Sequence, residues 1–200
     1  MTPMRALLAP ILTLSLALPG WAAPIPLGDL SAYLNRLTTA EADFTQVNAD
    51  GSISTGRLLI SRPGRVRFEY APPDDTLVLA GSGSVAIFDG KSDASPEQYP
   101  LNRTPLGLIL PETVDLGRAG MVTGHAEVEN TTRVTARDPA NPEYGSIELV
   151  FTADPIALRQ WVITDDAGNR TTVILGEMTE GGSMPASLFN IRREAERRAN

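Results

Sequence analysis

Gly56-Arg57-Leu58-Leu59-Ile60-Ser61-Arg62-Pro63-Gly64-Arg65-Val66-Arg67-Phe68-Glu69-Tyr70 reads as two β-strands joined at a Pro63-Gly64 turn. In the second strand Val66, Phe68 and Tyr70 alternate with Arg65, Arg67 and Glu69. Successive side chains of a strand point to opposite faces, so one face is apolar and the other solvated. Arg62 stands at the strand end. From there it can either reach across the mouth of the sheet or stay solvated beside the turn.

The same pattern extends in both directions. Strand candidates are 43–49, 53–61, 65–71, 76–80 and 84–89, then 121–128, 131–137, 145–152, 156–164, 170–177 and 187–191. Asp50-Gly51, Gly81-Ser82-Gly83, Asp154-Pro155 and Asp165-Asp166-Ala167-Gly168 are among the turn signals between them. Short strands with tight turns predict an antiparallel meander rather than a βαβ fold. Ahead of them, Leu27, Leu30, Leu34 and Leu37 follow helical spacing, which predicts an amphipathic helix from Leu27 to about Thr38. The segment 90–120 breaks the meander and reads as a lid, a binding loop or a cover for the sheet. Within it, Thr104-Pro105 is a helix entry and Leu106, Ile109 and Leu110 share a face. A second helical turn is expected from Glu112 to Leu116. The charged run Arg192 to Arg198 reads as a solvated, frayed tail.

The N-terminus carries an export leader. Arg5 is followed by an apolar run from Ala6 to Leu18, and Gly20 and Ala22 meet the small-x-small rule for cleavage after Ala22. Residues 1–22 are thus expected to be removed, leaving 23–200 as one domain, with 190–200 its charged tail. That run is shorter than the ~20 residues a membrane-spanning helix needs. The chain has no cysteine, which excludes disulfides and N-terminal lipidation of the mature protein. Losing the leader removes one arginine and no acid, so the formal charge moves from −7 to −8. An acidic chain is a poor partner for nucleic acid, whose binding is driven by phosphate neutralisation.

The residues do not assemble a catalytic set. His125 is the sole histidine, which precludes a multi-histidine zinc site and makes it a strand or surface residue rather than a base. Gly81-Ser82-Gly83-Ser84 has the wrong order for a nucleophile elbow. Phosphate loops and dinucleotide fingerprints are missing from the sequence. Asp74-Asp75 and Asp165-Asp166 fall in turns, where aspartate commonly caps backbone. The expectation is a binding protein without cofactor or metal, not an enzyme.

Read in order, a set of short motifs resembles the outer-membrane lipoprotein carrier family, the periplasmic chaperones known as LolA. Phe44-x-Gln46, Gly56-x-Leu58 and Arg62-Pro63-Gly64 match, followed by Val66, Arg67, Phe68 and Tyr70. Phe88-Asp89, Gln98, Thr104-Pro105-Leu106 and Trp161 with Asp165, Gly168 and Thr171 continue the correspondence. Phe68 stands where that family has tryptophan, and Val66 where it has an aromatic residue. After Leu188-Phe189 the family often adds a strand, whereas this chain runs into its charged tail.

The resemblance implies a mainly β fold with a few helices. It is an incomplete antiparallel barrel of about eleven strands, covered by a helical lid over an apolar hollow. It further implies a periplasmic chaperone, a monomer of one carrier domain, that takes acylated lipoproteins from an inner-membrane ABC transporter to an outer-membrane acceptor. Arg62 would lock the lid by bonding its backbone carbonyls. Val66, Phe68 and Tyr70 would line the hollow, together with Leu30 and Leu34 of the first helix and Leu106, Ile109 and Leu110 of the lid. A lipoprotein-sensing or protein-binding domain of the same fold, with no transport role, is the alternative.

Overall fold

The computed structural model describes residues 23–92 and 95–199; the expected leader, 1–22, lies outside them. Helix α1 (Leu27–Arg36) leads into strands β1 (Thr39–Val47), β2 (Ile53–Ser61), β3 (Arg65–Tyr70), β4 (Leu77–Gly81), β5 (Ser84–Phe88) and β6 (Glu97–Pro100). Two 3-10 turns, Leu101–Arg103 and Pro105–Leu108, open the long connection to β7 (Val122–Val128). Then follow β8 (Thr131–Arg137), β9 (Ser146–Thr152), β10 (Ala157–Thr164), β11 (Arg170–Leu175) and the short β12 (Thr179–Glu180). A 3-10 turn, Ala186–Phe189, and helix α2 (Ile191–Arg198) end the chain.

The strands form one 12-stranded sheet ordered β6-β5-β4-β3-β2-β1-β11-β10-β9-β8-β7, with β12 added to β1. The ladders are antiparallel. Among the described residues no ladder joins β6 to β7, so the sheet curls into an incomplete antiparallel barrel. The expected meander and its turns are present, and β1 starts at Thr39, four positions before the expected 43.

Each face of the sheet has its own core. On the concave face Phe44, Leu58, Ile60, Val66, Phe68, Leu149, Phe151, Trp161 and Val173 pack with α1 and the 101–121 connection. Leu30, Tyr33 and Leu34 provide the buried stripe of α1, continued by Leu37 just past its end, each about 5% exposed or less. Burying such a side chain stabilises the fold by roughly 1.5–3 kcal/mol. On the convex face Leu59, Leu77, Leu79, Ala86, Phe88 and Phe189 form a second cluster, closed by Leu188, Ile191 and Ala195.

Three expectations are corrected here. Residues 187–191 are not a strand: the 3-10 turn Ala186–Phe189 and the start of α2 occupy them. Nor is the charged tail frayed. Asn190 accepts a hydrogen bond from Arg193 N–H, capping α2, while Glu194 turns inward. Glu194 lies 2.5 Å from Arg197, 3.1 Å from Arg198 and 3.6 Å from Arg67 of β3. Counting charges along the tail could not show that one of them is buried against the sheet. Gly81 belongs to this packing, because a Cβ there would stand 2.1 Å from the Phe189 carbonyl oxygen. Finally, Glu112–Leu116 forms no helical turn; its backbone is held by side chains of α1.

Candidate functional site: the concave face and its lid

The site starts from a general deficit of helices. The last carbonyls of a helix have no partner within it, and they carry the negative end of its dipole. In α1 the Leu37 N–H bonds back to the Tyr33 carbonyl, which leaves Leu34 O and Leu37 O exposed to a donor. Arg62 fills that need. Its Nη1 donates to Leu34 O and, at 3.5 Å, to Leu37 O. Its other edge faces the connection. Pro111 O accepts from Nε at 3.2 Å and from Nη2 at 2.5 Å, and Glu112 O lies 3.4 Å from Nη2. One guanidinium thereby joins the β2–β3 turn, the end of α1 and the lid. Partial burial pulls its pKa below the usual arginine value.

Neighbouring groups reinforce the closure. Gly64 N–H donates to Leu110 O at 2.8 Å. Asn35 Nδ2 donates to Val114 O at 3.0 Å, and Val114 N–H donates to Asn35 Oδ1 at 2.8 Å. Leu116 N–H donates to Ser31 Oγ at 3.0 Å, and that hydroxyl donates to Leu27 O. Thr104 holds the position before the Pro105 turn, but its hydroxyl donates back to Leu101 O instead of capping forward. Gly107 lets the turns nest, since a Cβ there would stand 2.6 Å from Leu101 O.

Beneath these bonds the lid is apolar. Leu106, Ile109, Leu110, Val114 and Leu116 are buried against Leu30, Leu34, Val66 and Phe68 in one cluster. Tyr70 sits differently: it is half-buried, packs edge-on to Phe44 and donates its phenol to Gln46 Oε1 at 2.7 Å. Burial raises its pKa to about 12. The concave face is thus apolar and filled by the lid's own side chains. A recess of about 400 Å³ marks the seam where Pro63 and Gly64 meet Leu101, Leu110 and Pro111.

His125 pairs with Val134 and so lies on the concave side, at the β7 edge away from Arg62 and the lid seam. Its Nε2 is 2.9 Å from Ile25 O, beside the Ile25 N–H to Thr132 hydrogen bond. Among the described residues no three His, Cys, Asp or Glu side chains are placed to hold a metal ion. No described helix is long and apolar enough to cross a membrane. Sequence reading missed Ser31 and Asn35. Their signal was legible as a polar pair at i, i+4 beside the leucine stripe, facing something that needs hydrogen bonds.

A family model described as "Outer membrane lipoprotein carrier protein LolA" matches residues 35–192. The chain belongs to this family. An outer-membrane lipoprotein carrier protein of Chromobacterium violaceum is 24% identical over 201 residues, covering 91% of this chain and 92% of that one. Another, from Methylococcus capsulatus, is 31% identical over 180 residues, with 82% of each chain covered. Among solved structures, a LolA superfamily protein of Nitrosomonas europaea covers 83% of this chain and 98% of its own, at 8% identity and a TM-score of 0.45. Membership in the LolA family accords with the open antiparallel sheet and its lid.

Proposed function

We propose that this protein is a periplasmic chaperone that shelters the acyl chains of lipoproteins between the inner and outer membranes. The supporting observation is the closure itself: an apolar concave face roofed by short turns and fastened by one arginine to backbone carbonyls. Exposing an acyl chain to water costs roughly 0.8 kcal/mol per methylene, so ~15 methylenes cost on the order of 12 kcal/mol. An apolar chamber removes most of that barrier.

Loading displaces the lid, so Leu106, Ile109 and Leu110 leave Leu30, Leu34, Val66 and Phe68, and lipid chains take their place. Tyr70 borders the chamber. Arg62 acts as the lid lock. Its hydrogen bonds, at ~1 kcal/mol each, stabilise the empty closed form. That competing state weakens the hold on cargo enough for hand-off to an outer-membrane acceptor, after collection from an inner-membrane ABC transporter. Chain 23–200 works as one carrier domain, exported by its leader, without cofactor or catalytic step.

The test is direct. The processed protein is mixed with inner membranes carrying newly made lipoproteins, and the supernatant is assayed for one-to-one complexes. Soluble complexes that later discharge to outer membranes support the carrier. Complexes that never discharge would make it a lipoprotein sensor, and failure to extract any lipoprotein would defeat both readings.

A further inference from the structure

Trp161 lies on β10 with 1% of its surface exposed, and its indole N–H has no hydrogen-bond partner. Buried donors are almost always paired, so an unpaired one asks for an explanation. The neighbouring Phe68 ring stands perpendicular to the indole with centroids 6.2 Å apart. An aromatic face is a weak substitute for an oxygen acceptor.

Position narrows what the missing acceptor is. Trp161 pairs with Val173 across the β10–β11 ladder, and Val173 pairs with Gln46 across β11–β1. Directly opposed residues share a face, so Trp161, Val173 and Gln46 lie in one row on the concave side. At its β1 end this row is half-exposed, and there Gln46 accepts the Tyr70 phenol and donates to Asn48. The row therefore leads from the apolar interior to a half-exposed part of the concave face.

We infer that the Trp161 indole N–H is an anchor for the carbonyl oxygen at the root of a bound acyl chain. The inference rests on the carrier reading. A hydrocarbon chain has no acceptor along its length, and its ester or amide carbonyl is the first acceptor it offers. With methylenes on the Val66 and Phe68 side and the carbonyl at the Trp161 row, the orphan donor is satisfied only in the loaded state. Selectivity for acylated cargo over other greasy material follows.

Calorimetry on the processed protein tests this with three soluble short-chain probes. These are dihexanoyl phosphocholine diester, its dihexyl diether analogue and a hexanoyl amide analogue. The diester should bind about five- to tenfold tighter than the diether, the equilibrium worth of one hydrogen bond. Whether the amide matches the diester tells which carbonyl of the cargo is used. Trp161→Phe should bind both diester and diether at the diether level. In the unmodified chain the Trp161 indole N–H proton resonance should move downfield with the diester and not with the diether, a readout that survives a misfolded variant. Equal affinity of diester and diether, or discrimination retained by Trp161→Phe, overturns the anchor and leaves the carrier standing. Binding of none of the three probes overturns the carrier reading and the anchor with it.

Discussion

Asn35 and Val114 exchange two hydrogen bonds, at 3.0 and 2.8 Å, as if a side-chain amide were a strand neighbour. Asn35→Ala therefore leaves both backbone groups of Val114 without partners. The expected cost is about 1–3 kcal/mol, felt where the lid lifts. Amide exchange at Val114 and Leu116 should accelerate by roughly tenfold or more while exchange in β9 and β10 stays unchanged. Uniform acceleration would show that the lid does not open as a separate unit.

Arg62→Leu removes the link between α1 and Pro111. Lipoprotein uptake should persist, because the apolar face is untouched, whereas transfer to outer membranes should fall roughly tenfold as the closed form loses its charged hydrogen bonds. Transfer assays with separated donor and acceptor membranes check this. Unchanged hand-off would remove Arg62 from the lid-lock role.

Phe68 meets both Phe44 and Trp161 edge-on, at 5.5 and 6.2 Å between centroids. Phe68→Ala should lower stability by about 3–5 kcal/mol through the cavity it leaves and the aromatic contacts it loses. Urea unfolding measures it. A loss below about 1 kcal/mol would show that the lid collapses into the gap.

Glu194 carries a pH dependence on the convex side. Burial alone would raise its pKa, but hydrogen bonds from Arg197 and Arg198 and the charge of Arg67 overcome this, and it falls from the usual 4.5 to about 2. A carboxylate depressed by folding stabilises the fold fully above its unfolded pKa. That contribution should fade as pH drops from about 4.5 to about 2. Glu194→Gln should be less stable at neutral pH and should flatten the acid limb over that interval. An unchanged limb would assign acid sensitivity elsewhere.

Much of this architecture was legible from alternation. Val66, Phe68 and Tyr70 face one way and Arg65, Arg67 and Glu69 the other because a strand permits nothing else. The second face, however, is not the solvated one expected: Arg67 is buried there and donates to Leu188 O. Helix α1 showed in its leucine spacing. Strand β6 did not: Glu97–Pro100 is wholly exposed, so no apolar period marks it. The two-residue β12 is too short for a pattern. Residues 187–191 and the tail were misread because Phe189 and Glu194 are buried by contacts with β3 and β4, far away in sequence. At the site, Arg62 was conspicuous beside Pro63-Gly64, and residues alone left its partner open. The unpaired Trp161 indole could not be foreseen, since only neighbours in space determine whether a donor is met.

Apart from Asn35 Oδ1, at 3.4 Å, the oxygens that Arg62 grips belong to the main chain, which every amino acid supplies. A fastening of that kind is indifferent to which side chains its catch displays. On the proposed carrier function, substitutions at Leu106, Ile109 or Leu110 would therefore retune how firmly different lipids are retained while the clasp goes on working. Grip and latch are free to evolve separately.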